Sequence, residues 1–233
     1  MLQTKLNRRL FLGAGGAVAG SVALGAIGSS SAAFAADSGL TPDEVLANLL
    51  AGNKRFVSCT PKHPHQSRER IHAVAAGQHP IAIILGCADS RVAPELLFDQ
   101  GIGDLFTNRV AGNVVSDLLL GSMEYAAEEF VPPLVMVLGH ERCGAVAATQ
   151  GCVRTGGKAP GHIQSIVEAL TPIVGPYANG ADAVEQGVQA NVRAQVAAVL
   201  AQSAVIREKV GAGHMKVVGA RYDLDTGKVT VIA

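Results

Sequence analysis

The segment IAIILGCADSR, residues 81–91, carries the first evidence for the fold. Its apolar run, rich in β-branched isoleucine, ends at a glycine and is followed by Cys87. Short apolar runs of this composition are typical of strands buried on both faces, as in a parallel sheet. A second such run, LVMVLGHERC at residues 134–143, leads into His140 and Cys143. The two segments therefore predict two buried strands of an α/β protein.

The rest of the chain alternates between predicted strands and helices. Thr41, Pro42 and Glu44 have the residue types of an N-cap, a first helical position and a capping box, which predicts a helix to about Phe56. Further strands are predicted at 105–108, 215–218 and 228–232. Helices are predicted after Pro94, from about 145, and over 114–130, 163–170 and 182–208. Residues 58–80 are predicted to form an irregular or helical connector, and residues 151–161 a glycine-rich loop. Such alternation predicts βαβ units: a mostly parallel sheet of about four strands plus an edge strand, flanked by helices.

Composition limits the classes of function. The chain has 233 residues, 48% of them apolar, which is enough to bury the core of one domain. Basic and acidic side chains number 19 each, but residues 1–35 hold three basic residues and no acidic one. The remainder then has 19 − 3 = 16 basic against 19 acidic residues. This balance is the opposite of a nucleic-acid-binding protein, so no nucleic-acid partner is expected.

Residues 1–35 have the organisation of an export signal. Three basic residues precede an apolar segment at 10–27, and AFA at 33–35 offers a small-x-small cleavage site. The run NRRLFL at 7–12 resembles a twin-arginine signal. We therefore expect a cleaved signal peptide, a single mature domain over 36–233 without a stable membrane span, and a periplasmic or other extracytoplasmic location. An uncleaved membrane anchor is the alternative.

Three possible metal ligands follow the two buried strands. In open α/β sheets, ligands bind outside the carboxyl ends of the strands, so Cys87, His140 and Cys143 should meet in one crevice. Two thiolates and an imidazole are ligands that Zn²⁺ takes, and three protein ligands leave a fourth position open, as in catalytic zinc sites. Cys59 and Cys152 lie in connector regions, where they either form a disulfide or stay free.

Over nearly all of residues 36–233, the sequence resembles the β-class carbonic anhydrases. The zinc motifs of that family, CxDSR and HxxC, correspond here to residues 87–91 and 140–143. Other stretches similar to the family are GNKRF at 52–56, GDLF with RVAGN within 103–113, and VGARYDLDTG at 218–227. The agreement of several motifs in the same order carries the resemblance.

The resemblance implies one Zn²⁺ per chain, held by Cys87, His140 and Cys143. It also implies reversible hydration of CO₂ to bicarbonate and a proton by a zinc-bound hydroxide. Since two thiolates offset the charge of the metal, we expect that hydroxide to need alkaline conditions. The alternatives are a CS₂ or carbonyl sulfide hydrolase on the same scaffold and a non-catalytic zinc-binding protein. The family's dimers further imply a homodimer or a higher homo-oligomer.

The family pattern assigns roles to further side chains. Arg91 would pair with Asp89 and hold it away from the metal, where Asp89 orients the metal's water. Gln100 matches a glutamine that hydrogen-bonds substrate or a zinc-bound anion, with a loop-capping amide as the alternative role. The backbone N–H of Gly144, beside a metal ligand, would donate to an anion. Arg109 has either a structural role or a role in the site.

Overall fold

The structure, a computed structural model, describes residues 39–233, so the signal peptide predicted at 1–35 lies outside the described part. The strands are β1 Ala82–Gly86, β2 Leu105–Arg109, β3 Leu134–His140, β4 Lys216–Tyr222 and β5 Val229–Val231. They form one sheet in the order β2-β1-β3-β4-β5. The first four strands pair in parallel, and β5 pairs antiparallel with β4. The prediction of a mostly parallel sheet with one further edge strand is confirmed.

The described helices cover both faces of this sheet. They are α1 Pro42–Val57, α2 Arg68–Val74, α3 Pro94–Leu97, α4 Asp117–Glu129, α5 Gly144–Thr155, α6 Ile163–Val174, α7 Ala183–Gln202 and α8 Ala204–Gly211. Short 3₁₀ turns lie at Ala111–Asn113 and Gly175–Tyr177. Over residues 39–233, no helix combines the length and apolarity needed to cross a bilayer.

The two central strands, β1 and β3, are buried along their whole length. Because successive side chains of a strand point to opposite faces, each strand supplies two cores. Ile84 and Met136 pack on one face with residues of α1 and α3. Ile83 and Val135 pack on the other face with residues of α4, α7 and α8. Burial on both sides explains why these strands are uninterrupted apolar runs in the sequence.

Helix α1 is fixed to the sheet by close backbone contact. Thr41 and Glu44 form the predicted capping box at its start. A Cβ built on Gly52 would lie 1.8 Å from the carbonyl oxygen of Phe98 at the end of α3, so only glycine permits this approach. The buried amide of Asn53 donates to the carbonyls of Leu97 and Gly227, tying α1 to α3 and to the turn before β5.

Several predicted boundaries are wrong. The helix predicted over 182–208 is two helices, because Ser203 takes an extended conformation and caps α8 by accepting from the N–H of Ile206. The connector predicted at 151–161 begins later, since α5 continues to Thr155 and ends at Gly156 in the left-handed region. Helix α6 extends past 170 despite Pro172 within it.

Candidate metal centre

The ends of β1 and β3 place the three predicted ligands together. Gly86 lies beside Leu138 in the parallel register, so Cys87 and His140 reach the same edge of the sheet. Cys143 is the N-cap residue of α5, three residues after His140. All three side chains are buried, and their donor atoms lie within 4.8 Å of one another. This convergence is the one expected from the topology of an open α/β sheet.

The histidine presents an unpaired nitrogen to this group. His140 Nδ1 lies 2.8 Å from the carbonyl oxygen of Glu141, a contact that requires the proton on Nδ1. The buried Nε2 has no hydrogen-bond partner among the described residues, a costly state for a polar atom. A metal bound at Nε2 satisfies this nitrogen, and the carbonyl contact orients the ring as in other zinc sites. Two sulfurs and one nitrogen therefore fit Zn²⁺.

The two sulfurs lie close together and shift each other's pKa in opposite directions. The neighbouring Cys143 thiol lowers the pKa of Cys87, burial opposes this shift, and the Gly112 N–H, 3.4 Å from Cys87 Sγ, also lowers that pKa. The Cys87 thiolate and burial raise the pKa of Cys143, although the backbone N–H groups of Val146 and Ala145 act in the opposite direction. The surroundings therefore favour the deprotonated form of Cys87 more than that of Cys143, and a cation bound to both sulfurs would stabilise both thiolates.

Asp89 and Arg91 form a bidentate pair beside the ligands. Arg91 Nε donates to Oδ1 at 2.9 Å and Nη2 donates to Oδ2 at 2.7 Å. This contact holds the pKa of Asp89 well below its ordinary value, so its carboxylate is ionised. Asp89 Oδ2 is 3.8 Å from His140 Nε2, which places the carboxylate against the ligand group. Arg109 braces the same loop, since it donates to the carbonyls of Cys87 and Asp89.

Comparison with known proteins identifies the family. The family model described as carbonic anhydrase matches residues 82–229. Carbonic anhydrase 2 of Mycobacterium tuberculosis (strain ATCC 25618 / H37Rv) is 42% identical over 184 residues, 78% of this chain and 89% of the relative. A solved β-carbonic anhydrase from Coccomyxa superposes with a TM-score of 0.63 at 27% identity, over 80% of this chain and 86% of the other. The chain belongs to the β-class carbonic anhydrases.

Other relatives agree with this assignment. The carbonic anhydrase of Mycolicibacterium smegmatis is 42% identical over 183 residues, 78% of this chain and 88% of the relative. The solved β-carbonic anhydrase CafA of Aspergillus fumigatus is 28% identical, with a TM-score of 0.63 over 80% of this chain and 90% of the other. β-Class carbonic anhydrases are lyases that use zinc, and the donor set of this chain fits that metal.

Gln100 and Gly144 have different surroundings in this carbonic anhydrase. The Gln100 amide donates to the Phe98 carbonyl and lines a surface cavity with Glu95 and Leu96, whose lining includes none of the three metal ligands. Gly144 is the first residue of α5, directly after Cys143, and is exposed. Within one chain, Gly144 directly follows a metal ligand, whereas the cavity lined by Gln100 includes none of the three ligands.

Two contacts hold the loop between His140 and Cys143 in place, and the sequence did not predict them. Arg142, between His140 and Cys143, has a left-handed backbone (φ 51°) and donates to both carboxylate oxygens of Asp225 at 2.8 and 2.7 Å. The Glu141 carboxylate accepts from the Leu224 N–H on the same turn. These bonds tie the loop that carries two ligands to the turn between β4 and β5. The partners are 83 positions apart, so no local pattern marks them.

The other two cysteines lie apart from the metal centre, and each has a free thiol. Cys59 is exposed in the segment after α1, where its backbone is left-handed (φ 54°). Cys152 is half-buried and, contrary to the predicted connector, lies within α5. Among the alternatives that the sequence left open, the structure shows both residues as free.

Proposed function

We propose that this protein catalyses the reversible hydration of CO₂ to bicarbonate and a proton with one Zn²⁺ held by Cys87, His140 and Cys143. The observation that carries the proposal is the buried group of three donor atoms within 4.8 Å, one of them an unpaired imidazole nitrogen, beside an Arg-paired carboxylate. Membership of the β-class carbonic anhydrases supports the same reaction.

The metal, the two cysteines and the histidine have different roles in this chemistry. Bound Zn²⁺ would supply Lewis acidity, which lowers the pKa of a coordinated water and makes it a nucleophile toward CO₂. Three protein ligands leave one coordination position for that chemistry. Cys87 and Cys143 offset the charge of the metal, and His140 donates through Nε2 while its Nδ1–H is fixed by the Glu141 carbonyl. Full burial of the His140 side chain keeps bulk water away from the ligand nitrogen.

We further propose that Arg91 controls the position of Asp89. Two short hydrogen bonds hold the carboxylate toward Arg91, and its ionised oxygens face the ligand group as hydrogen-bond acceptors. In this position the Asp89 carboxylate would accept a hydrogen bond from the reacting water and so orient a lone pair of that water toward the substrate. The two carbonyl contacts of Arg109 keep the Cys87–Asp89 loop from moving.

Stopped-flow hydration of CO₂ with a pH indicator tests the reaction. We expect zinc-dependent turnover that increases between pH 6.5 and 9 and is lost in Cys143→Ala, which lacks one ligand. A matched Cys152→Ala variant, which removes a half-buried cysteine of the same helix, should retain activity. Turnover of CS₂ without turnover of CO₂ would assign the alternative hydrolase activity. Bound zinc with neither activity would indicate a non-catalytic zinc protein.

A homo-oligomer is proposed from the exposed edge of the sheet. β2 is an edge strand, and such an edge is normally covered or protected. Large apolar side chains near it are exposed, with Leu96 at 58%, Ile102 at 45% and Tyr125 at 55%. Gln100 lines the same region, so a second copy that packs here would contact this glutamine. Light scattering should give at least a dimer at micromolar concentration, and a monomer would contradict the proposal.

Export is proposed from residues 1–35 alone. The twin basic residues Arg8 and Arg9, the apolar segment and the AFA site support transport by the twin-arginine route. Mass spectrometry of the protein from the extracytoplasmic fraction should show a chain that begins near Ala36. Replacement of both arginines by lysine should leave the protein inside the cell with its full length. A full-length chain in the membrane fraction would instead indicate an uncleaved anchor.

A further inference from the structure

Two buried amides on α7 have no part in the proposed chemistry. The Asn191 and Gln195 side chains are one helical turn apart, and the residues are only 1% and 4% exposed. Gln195 Nε2 donates to Asn191 Oδ1 at 2.9 Å. The other buried positions of this helix include Val188, Val192 and Val199, which supply apolar packing. A buried amide is favourable only when its polar atoms are paired, so their partners indicate their purpose.

Both amides bond to the backbone of one short segment that follows β2. Asn191 Nδ2 donates to the Gly112 carbonyl at 2.8 Å, and Gln195 Oε1 accepts from the Val115 N–H at 2.8 Å. The segment 112–115 is therefore held at both ends by α7. The residues joined are 79 and 80 positions apart in the chain, so these contacts fix α7 to a segment that is distant in sequence.

The held segment donates to a metal ligand. The N–H of Gly112 lies 3.4 Å from Cys87 Sγ, within hydrogen-bonding distance for sulfur. Gly112 has a left-handed backbone (φ 76°), and a Cβ built on it would lie 3.0 Å from a Leu170 methyl and 3.2 Å from Ala145 Cβ. The segment is thus confined by packing on one side and by the two amides on the other. A small change in either would move the donor relative to the sulfur.

We propose that Asn191 and Gln195 are positioning residues of the metal centre, which hold Gly112 so that its N–H donates to the Cys87 sulfur. An N–H···S hydrogen bond withdraws electron density from the ligand sulfur, so more positive charge stays on the bound metal. Groups that orient metal ligands in this way tune both metal affinity and reactivity. The inference rests on the proposed zinc site at Cys87, His140 and Cys143.

Cobalt substitution tests this role through a spectroscopic readout. Wild-type protein loaded with Co²⁺ should show a thiolate-to-cobalt charge-transfer band. Asn191→Leu keeps the approximate size of the side chain but removes its hydrogen bonds to Gly112, to Gln195 and, at 3.4 Å, to the Asn113 side chain. Without the N–H donor the sulfur gives up an electron more readily, so the band should move to longer wavelength. Because the segment beside Cys87 is no longer fixed, the ligand group is less preorganised, and the dissociation constants for Co²⁺ and Zn²⁺, measured by chelator competition, should increase about 10-fold.

Gln195→Met is the second variant and should shift the band in the same direction, which keeps the test decisive if Asn191→Leu does not fold. Ser203→Ala is the matched control, because Ser203 is fully buried and caps α8 but lies 12 residues, about 18 Å, along from Asn191. It should lower the melting temperature and leave the cobalt spectrum unchanged.

Each outcome has one meaning. Folded Asn191→Leu or Gln195→Met protein with the wild-type band and affinity would overturn the positioning role, even if it were less stable. A band shift of equal size in Ser203→Ala would overturn it as well, since the shift would then report only lost stability. Wild-type protein without any charge-transfer band would instead contradict the proposed metal site, which separates that failure from failure of the inference.

Discussion

Replacement of Arg91 by alanine is expected to lower activity far more than stability. The Arg91 side chain is 55% exposed, yet it contributes two of the hydrogen bonds that hold the Asp89 carboxylate. In the variant only the backbone N–H of residue 91, at 2.9 Å from Oδ1, would remain. The freed carboxylate, already 3.8 Å from His140 Nε2, could then turn onto the metal and fill the open position.

The two effects differ in size. An exposed ion pair contributes about 0–1 kcal/mol to the free energy of unfolding. For a protein of this size that corresponds to a melting temperature lower by at most about 4 °C. Loss of a group that orients a metal-site residue usually costs about 10- to 100-fold in activity. In transition-state free energy this loss is about 1.4–2.7 kcal/mol.

The assay combines stopped-flow CO₂ hydration, thermal unfolding and zinc content on the same preparations. Lys216→Ala is the matched control, because Lys216 is 49% exposed, pairs with Asp43 at 2.8 Å and begins β4 at the end of the strand away from the site. Its kcat/KM should equal that of the wild type. Zinc-loaded Arg91→Ala that keeps more than half of the wild-type kcat/KM would show that Arg91 does not hold Asp89 away from the metal.

Three further results are expected. Gly52→Ala should destabilise the protein by about 3 kcal/mol in urea unfolding, because its Cβ would overlap a backbone carbonyl at the end of α3; a loss below about 1 kcal/mol would contradict this packing. Burial raises the pKa of Asp99, but two backbone N–H groups and Arg55 outweigh it and lower the folded-state pKa. This stabilisation is present above the unfolded pKa of about 3.9 and lost as the pH falls through the folded pKa, so Asp99→Asn should cost about 1–3 kcal/mol at pH 7 and progressively less below about pH 4. A gap in unfolding free energy that stays constant from pH 7 to pH 2 would refute that assignment. Arg142→Ala and Asp225→Ala should each speed zinc loss to a chelator, and the double variant should lose zinc no faster than either single variant; additive effects would argue against this shared contact.

The sequence predicts the site well where chemistry and strand pattern coincide. The runs before Cys87 and His140 are apolar because β1 and β3 are buried on both faces, and their parallel pairing then brings the ligands together. The Asp89–Arg91 pair is only two residues apart, so the same local pattern places it beside Cys87. These features follow from short-range sequence and from the general topology of open sheets.

Features that depend on distant contacts could not be predicted. The bond between Arg142 and Asp225 and that between Asn191 and Gly112 join residues about 80 positions apart, and neither partner is unusual in its own segment. The break at Ser203 was missed for a similar reason, since apolar spacing continues through it while its side chain caps α8. Tertiary packing decided these features.

The zinc-edge X-ray absorption spectrum of the wild-type protein tests the metal centre most directly, because it counts sulfur and light-atom ligands. We expect one zinc per chain, with two sulfurs at about 2.3 Å from the metal, one imidazole nitrogen at about 2.0 Å and one further light atom. In Cys143→Ala the sulfur count should fall to one or the zinc should be lost. A wild-type spectrum with four sulfurs, or with none, would contradict the assignment of Cys87, His140 and Cys143 as the ligands.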